Sequence, residues 1–95
     1  MKTTHLLITG RVQGVGFREW LANEARRLGL SGWVRNVGQD AVEALIAGDT
    51  VAVEECLRLC RRGPRAAIVE TIKDTPAEPP AELGFIKRAS LPARP

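Results

Sequence analysis

The residue types best suited to chemistry lie in one short segment, residues 10–18, with the sequence GRVQGVGFR. Its three glycines allow successive backbone N–H groups to point toward one position, and such a cluster of amides binds an anion. If a helix follows, its N-terminus adds positive partial charge at the same place. The segment therefore predicts a loop that holds a phosphate-like anion.

Arg18 ends this segment and would be a cation in the first turn of the following helix, where the dipole disfavours it by about 0.3–1 kcal/mol. A bound phosphoryl group would reverse that effect, because a planar guanidinium can bind two oxygens at once. Residues that break a local rule often mark a functional site. The alternative is a solvated arginine paired with Glu19 or Glu24, in a loop whose glycines only make a turn.

Two well-known phosphate-binding loops do not fit these residues. A P-loop would end in Gly-Lys followed by Ser or Thr, whereas this segment ends in Gly-Phe-Arg. A dinucleotide-binding fingerprint beginning at Gly14 would need a glycine where Glu19 stands. The loop is thus predicted to bind an anion in some other way.

Asn36 is a second candidate, because it stands in a stretch, residues 32–37 (GWVRNV), whose Trp and Val residues favour a β-strand. Its carboxamide can accept and donate hydrogen bonds at the same time and could orient a water molecule beside the loop. The alternative from the residues alone is that Asn36 begins the turn that follows.

The elements that must position these residues alternate between strand and helix. Hydrophobic periodicity and turn residues predict strands at 5–12, 31–37, 41–47 and 66–74, helices at 19–28 and from 49 or 50 to 62, and a short edge strand at 84–88. Residues 75–82 contain three prolines and predict an irregular connector. The β-α-β-β-α-β order predicts an α+β, ferredoxin-like sandwich, with two helices on one face of an antiparallel sheet. We expect one domain over residues 1–90 and a frayed tail over residues 91–95.

Residues 12–18 (VQGVGFR) and 28–36 (LGLSGWVRN) closely resemble the two signature segments of acylphosphatases. Residues 42–43, Gly48 and residues 63–64 also fall at the family's intervals, so that the resemblance covers residues 5–88. It implies a hydrolase that uses no metal and no cofactor. Such an enzyme splits the carboxyl–phosphate bond of a small acyl phosphate into a carboxylate and inorganic phosphate.

The resemblance also implies roles for particular residues. Arg18 would be the catalytic arginine that binds the phosphate, and Asn36 would be the catalytic residue that positions the attacking water. Loop residues would add backbone amides to the phosphate site, and these are Gln13, Gly14, Val15, Gly16 and Phe17.

The chain departs from the family pattern at Asp40, where a glycine is expected four residues after the asparagine. If the turn needs a positive φ at this position, aspartate tolerates it better than most residues do. The alternative is that Gly38 has taken over that role.

Composition gives expectations about partners. The net charge of +3 and the isoelectric point of about 9.4 suit an anionic ligand, but the Lys and Arg residues are spread along the chain, so that we expect no nucleic-acid partner. The apolar run at residues 6–8 is too short for an export signal or a membrane span. We therefore expect a cytoplasmic monomer without a membrane partner, in which Cys56 and Cys60 are reduced and buried and bind no metal.

The alternative function is a non-catalytic RNA-binding or protein-interaction module on the same fold. RNA-recognition domains stack bases on aromatic residues of the sheet, and this chain has two Phe, two Trp and no Tyr, with no aromatic-rich strand. The acylphosphatase-like modules of hydrogenase-maturation carbamoyltransferases stand in much longer proteins with zinc-binding cysteine pairs, which this sequence does not contain.

Overall fold

Two helices pack on one face of a five-stranded sheet in the computed structural model, which describes residues 1–92. The elements in chain order are β1 (Lys2–Arg11), α1 (Phe17–Arg27), β2 (Ser31–Val37), β3 (Ala41–Gly48), α2 (Thr50–Arg62), β4 (Ile68–Pro76) and β5 (Phe85–Lys87). The predicted ferredoxin-like α+β fold is confirmed.

The strands of the sheet lie in the order β4-β1-β3-β2-β5. The pairs β1–β3, β1–β4 and β2–β3 are antiparallel, as predicted, whereas β5 runs parallel to β2. The predicted edge strand thus makes the sheet mixed. Strand β5 pairs with β2, and the chain between β4 and β5 therefore passes from one edge of the sheet to the other.

The core lies between the sheet and the two helices. In β1 the alternation of a half-buried strand places Thr4, Leu6 and Ile8 toward the helices, where they are buried. The helices contribute buried residues at helical spacing, which are Phe17, Leu21, Ala22 and Ala25 from α1 and Val53, Cys56 and Cys60 from α2. Both cysteines are free thiols in this core. Neither helix in residues 1–92 is long and apolar enough to cross a membrane.

The start of α1 and the end of β4 are two of the boundaries that differ from the predicted ones. Helix α1 begins at Phe17, two residues before the predicted start at Glu19, so that Arg18 lies inside its first turn. Strand β4 continues to Pro76, into the segment predicted as an irregular connector. Proline is tolerated there because β4 is an edge strand, on which some backbone N–H groups have no strand partner to bind.

The chain beyond β5 continues along β2. The Arg88 N–H donates to the carbonyl of Val34 at 2.8 Å, and the Leu91 N–H donates to the carbonyl of Asn36 at 2.8 Å. Leu91 forms a parallel bridge with Val37. The frayed tail predicted for residues 91–95 therefore does not include Leu91, and residues 93–95 lie outside the described residues.

Candidate active site

The loop between β1 and α1 turns sharply at two glycines. Gly14 has a φ of 72° and Gly16 a φ of 79°, both in the left-handed region. A Cβ atom at either position would meet no neighbour within 4 Å, so that backbone conformation, and not lack of space, requires glycine here. These two residues bring the loop back over the N-terminus of α1.

Helix α1 begins without a capping side chain. Its N-cap is Gly16, which has no side chain to accept a hydrogen bond from the first turn. The first N–H groups of a helix have no partner within the helix and are normally satisfied by a cap, by water or by a ligand. The N-terminus of α1 is therefore suited to an anion that comes from outside the helix.

A small cavity of about 230 Å³ lies against this loop. It is lined by Val12, Gln13, Gly14, Gly16, Phe17, Arg18, Glu19, Asn36 and Lys87. The two predicted catalytic residues, Arg18 and Asn36, thus meet at one cavity although they come from different elements. Of the six predicted phosphate-binding residues, Val15 alone does not line it, because its side chain packs against the core.

Arg18 is held at the cavity by the chain segment that follows β5. Its Nη1 atom donates a hydrogen bond to the backbone carbonyl of Arg88 at 3.0 Å. A guanidinium carries five N–H donors in one plane, so that this bond leaves others for a ligand. The sequence does not predict this contact, because the two residues are 70 positions apart.

Asn36 lies on the face of β2 that points toward the helices, since Gly32 and Val34, at the same parity, are buried on that face. Its backbone is held on both sides. It is aligned with Val42 of β3 on one side, and its carbonyl accepts the hydrogen bond from Leu91 on the other. The carboxamide thus projects into the cavity from a strand whose position is well defined.

Gln13 links the loop to the β2–β3 turn through its side chain. Its Nε2 atom donates toward the carbonyls of Val37 and Gly38, each at 3.1 Å, and of Ala41 at 2.8 Å. Sequence reasoning assigned Gln13 only a backbone amide at the phosphate site. The side chain has a separate task, which is to fix the loop relative to the strand that carries Asn36.

The β2–β3 turn accommodates Asp40 without strain. Gly38 has a φ of 60°, and no non-glycine residue in the described part of the chain has a positive φ. The positive φ near this turn therefore lies at Gly38, and Asp40 does not need one. The carbonyl of Asp40 accepts a hydrogen bond from the Gly10 N–H at 3.2 Å, which ties the turn to β1.

Sequence reasoning missed two charged residues of the cavity, Glu19 and Lys87. The Lys87 ammonium donates a hydrogen bond to Glu19 Oε2. This hydrogen bond and the positive charge of Lys87 lower the pKa of Glu19. Glu19 could have been suspected from its place next to Arg18, whereas Lys87 has no local signal because β5 reaches α1 only through the tertiary fold.

The charge of the cavity comes from side chains and helix amides. Among residues 1–92, no three His, Cys, Asp or Glu side chains are grouped in a way that could hold a metal ion. Arg18 and Lys87 are positive and Glu19 is negative, which leaves an excess of one positive charge. This balance, together with the N-terminus of α1, favours an anionic ligand.

Comparison with known proteins identifies the family to which this site belongs. Residues 4–86 match the acylphosphatase family. The chain belongs to the acylphosphatase family. It is an acylphosphatase, an enzyme whose substrate is a small acyl phosphate and whose product is inorganic phosphate.

Relatives and solved structures agree with this assignment. An acylphosphatase of Acidiphilium cryptum is 61% identical over 90 residues, which cover 95% of this chain and 99% of the relative. The crystal structure of acylphosphatase from Bacillus subtilis superposes with a TM-score of 0.84 at 30% identity, over 92% of this chain and 97% of that one. Both comparisons cover nearly the whole acylphosphatase domain.

The same fold also occurs inside a larger protein. Full-length HypF, whose crystal structure is in the phosphate- and nucleotide-bound form, matches 96% of this chain with a TM-score of 0.86 and 25% identity. The matched part is 12% of that protein. The acylphosphatase fold thus exists both as a separate chain and as a small part of a longer one.

Proposed function

We propose that this acylphosphatase cleaves the carboxyl–phosphate bond of small acyl phosphates without a metal ion, with Arg18 and the loop amides holding the phosphate and Asn36 positioning the water. The observation that carries the proposal is the shared cavity, which brings Arg18 and Asn36 together with five residues of the loop segment 12–17. Each group supplies a different part of the chemistry.

The phosphate would sit at the N-terminus of α1, which Gly16 leaves without a side-chain cap. There the amides of the loop and the Arg18 guanidinium neutralise charge on the phosphoryl oxygens, and the planar guanidinium can bind two of them. In phosphoryl transfer the charge is spread over these equatorial oxygens, so that donors held in advance around them stabilise the transition state.

The water would be held by the carboxamide of Asn36, whose oxygen accepts one water hydrogen while its N–H group donates to the water oxygen. As the water oxygen forms a bond to phosphorus, the bond from phosphorus to the carboxyl oxygen breaks. The electron pair of that bond leaves with the carboxylate. The two water hydrogens end on the phosphate or in solvent, and the products are a carboxylate and inorganic phosphate.

A strong base is unnecessary in this scheme, because a carboxylate is a good leaving group and positioning supplies a large part of the rate. The cavity fits this requirement, since its side chains would position the reactants and neutralise the charge of the phosphate. The positive charge that a metal would supply elsewhere comes from Arg18 and from the helix N-terminus.

The experiment that tests the proposal is hydrolysis of acetyl phosphate by the wild type and by Arg18→Ala, Arg18→Lys and Arg61→Ala. We expect Arg18→Ala to lower kcat/KM by about 10³-fold or more, the range seen when a transition-state donor is removed. Arg18→Lys should recover little, because a point charge lacks the planar fork. Arg61 is an exposed arginine in the last turn of α2 and provides the matched control, with activity unchanged.

The same assay tests the remaining parts of the proposal. A chelator should leave the rate unchanged, and inorganic phosphate should inhibit competitively. Full dependence on added magnesium would contradict the mechanism. Wild-type turnover in Arg18→Lys would contradict the role of the guanidinium.

A further inference from the structure

The cavity contains a negative side chain next to the position proposed for the phosphate. Glu19 is in the first turn of α1, directly after Arg18, and its side chain is 55% exposed. A helix N-terminus favours negative charge from any source, so that a carboxylate in the first turn and a bound phosphate are attracted to the same amides. Two anions at one helix end also repel each other.

Lys87 reaches the same place from the other side of the cavity. It is aligned with Val34 in the parallel pairing of β5 with β2, and its ammonium is hydrogen-bonded to the Glu19 carboxylate. The Lys87 side chain is 43% exposed. The negative charge of Glu19 is therefore compensated at the cavity wall by a residue from a distant part of the chain.

From this arrangement we infer that Lys87 is a positioning residue that engages the carboxylate of Glu19, keeps it away from the phosphate cradle and thereby sets the affinity of the enzyme for the phosphate group. The inference rests on the proposed function, since it concerns the same phosphate position. Lys87 acts through Glu19 and does not contact the substrate.

A purely structural role for the ion pair makes different predictions. Two other contacts also join α1 to the chain at β5, since Arg26 donates to the carbonyl of Phe85 at 3.1 Å and Arg18 donates to that of Arg88. If Lys87 only adds a third link, its loss would lower the melting temperature without a specific change in phosphate binding. If it compensates Glu19, its loss would weaken phosphate binding, and removal of the Glu19 charge would reverse the effect.

The test is a set of variants, namely Lys87→Met, Lys87→Arg, Glu19→Gln and the double variant Glu19→Gln/Lys87→Met, compared with the wild type. Lys73→Met is the matched control, because Lys73 is an exposed lysine on β4, the opposite edge of the sheet from β5. Calorimetric titration with inorganic phosphate gives the dissociation constant without any need for turnover. Acetyl phosphate kinetics give KM and kcat, and thermal unfolding reports stability.

We expect Lys87→Met to raise the phosphate dissociation constant and the KM about fivefold, with a smaller change in kcat, since the net charge facing the anion falls by one. The double variant should return to near the wild-type affinity, and Lys87→Arg should retain most of it. The difference between Lys87→Met and the wild type should shrink at high salt, because exposed charges are screened.

Three results would overturn the inference. Lys87→Met could bind phosphate as tightly as the wild type, or no more weakly than Lys73→Met does. The double variant could stay as weak as Lys87→Met, in which case Lys87 would act on the phosphate directly and not through Glu19. The thermal stability could change while the affinity does not.

The outcomes also separate this inference from the proposed function. A wild type that neither binds phosphate nor hydrolyses acetyl phosphate would refute the proposed function, and the inference with it. A wild type that does both, beside an unaltered Lys87→Met variant, would refute the inference alone.

Discussion

The two helices begin in opposite ways, although both carry two arginines in the last turn. Helix α2 has Asp49 as its N-cap, and the carboxylate of that residue accepts a hydrogen bond from the Ala52 N–H at 3.4 Å. Helix α1 has Gly16 at the same position, with no side-chain cap and with Arg18 in its first turn. In the last turn, both helices carry two arginines, as the helix dipole favours.

On the proposed function, the difference marks a place where the fold gives up stability for phosphate binding. A capping aspartate stabilises a helix by roughly 1 kcal/mol, and a cation in the first turn lowers its stability further. Helix α2 obtains this stabilisation from Asp49, the residue at its own N-cap. Helix α1 does without it, and a bound phosphate would supply the missing negative charge. The N-terminus of α2 is thus capped in the free protein, whereas we propose that a ligand completes the N-terminus of α1.

Among substitutions that test the comparison of the two helix ends, the largest change should come from giving α1 a negative residue at its N-cap. In Gly16→Asp a carboxylate would stand beside the phosphate, and a like charge about 5 Å away costs about 3 kcal/mol at a protein surface. We therefore expect kcat/KM for acetyl phosphate and the affinity for inorganic phosphate to fall about 10²-fold. Hydrolysis kinetics and calorimetric titration measure the two quantities.

Gly16→Ala is the control for this substitution. Alanine is strained at a φ of 79° at least as much as aspartate is, but it adds no charge. Gly16→Ala should lower stability, but it should weaken phosphate binding much less than Gly16→Asp does. Equal effects of the two substitutions would show that backbone conformation, and not charge at the N-terminus of α1, determines binding.

The next prediction tests whether the N-terminus of α1 binds the phosphate while β2 serves the chemical step. Asn36→Ala removes the carboxamide proposed to position water, and a misplaced reactant commonly lowers a rate about 10²-fold. We expect kcat to fall by about that factor while the phosphate dissociation constant stays within about twofold. Asn23, the other asparagine of the chain, is exposed on α1 and serves as the control. A parallel loss of affinity and turnover would mean that Asn36 supports the fold of the site.

A smaller effect is expected at the N-terminus of α2, and on a different property. Asp49→Ala should lower the free energy of unfolding by about 1 kcal/mol, since it removes the cap of a helix that packs on the core. Hydrolysis should be unchanged, because this helix end does not line the cavity. Chemical denaturation and the acetyl phosphate assay measure the two properties, with the exposed Asp74→Ala as control. Reduced activity with intact stability would contradict the division between the two helix ends.

The features that the sequence predicts well are the local ones. Alternating burial in β1, the spacing of apolar residues in the helices and the glycines of residues 10–18 all depend on neighbours within a few positions. These signals were sufficient for the fold class. They also predict Arg18 at the start of the first helix, where the dipole disfavours a cation and a bound anion would reverse that effect.

The features that the sequence did not predict depend on residues far apart in the chain. The parallel direction of β5, the bonds from Leu91 to β2 and the pairing of Lys87 with Glu19 all bring the C-terminal part of the described chain against earlier elements. A short strand such as β5 carries no signal of its direction. The side-chain link from Gln13 to the β2–β3 turn was missed for the same reason, since its partners are 24 to 28 positions away.

The smallest effect is expected at Glu43, whose carboxylate lies on the face of the sheet away from the helices. Side chains of the protein itself donate hydrogen bonds to it. In this respect it resembles the N-terminus of α2, which also has its partner within the protein. Burial alone would raise the pKa of Glu43, but hydrogen bonds from His5 and Arg35, each at 2.6 Å, lower it below the ordinary value of a glutamate. A group with a lowered pKa stabilises the fold above its unfolded pKa, and this contribution is lost as the pH falls through the folded pKa. Glu43→Gln should thus lower stability by less than about 1 kcal/mol near neutral pH, and by progressively less as the pH falls through the folded pKa. Chemical denaturation of Glu43→Gln and of the exposed control Glu70→Gln, from neutral to acid pH, measures this loss of stability. A loss that does not change with pH would show that the charge of the Glu43 carboxylate contributes nothing to stability.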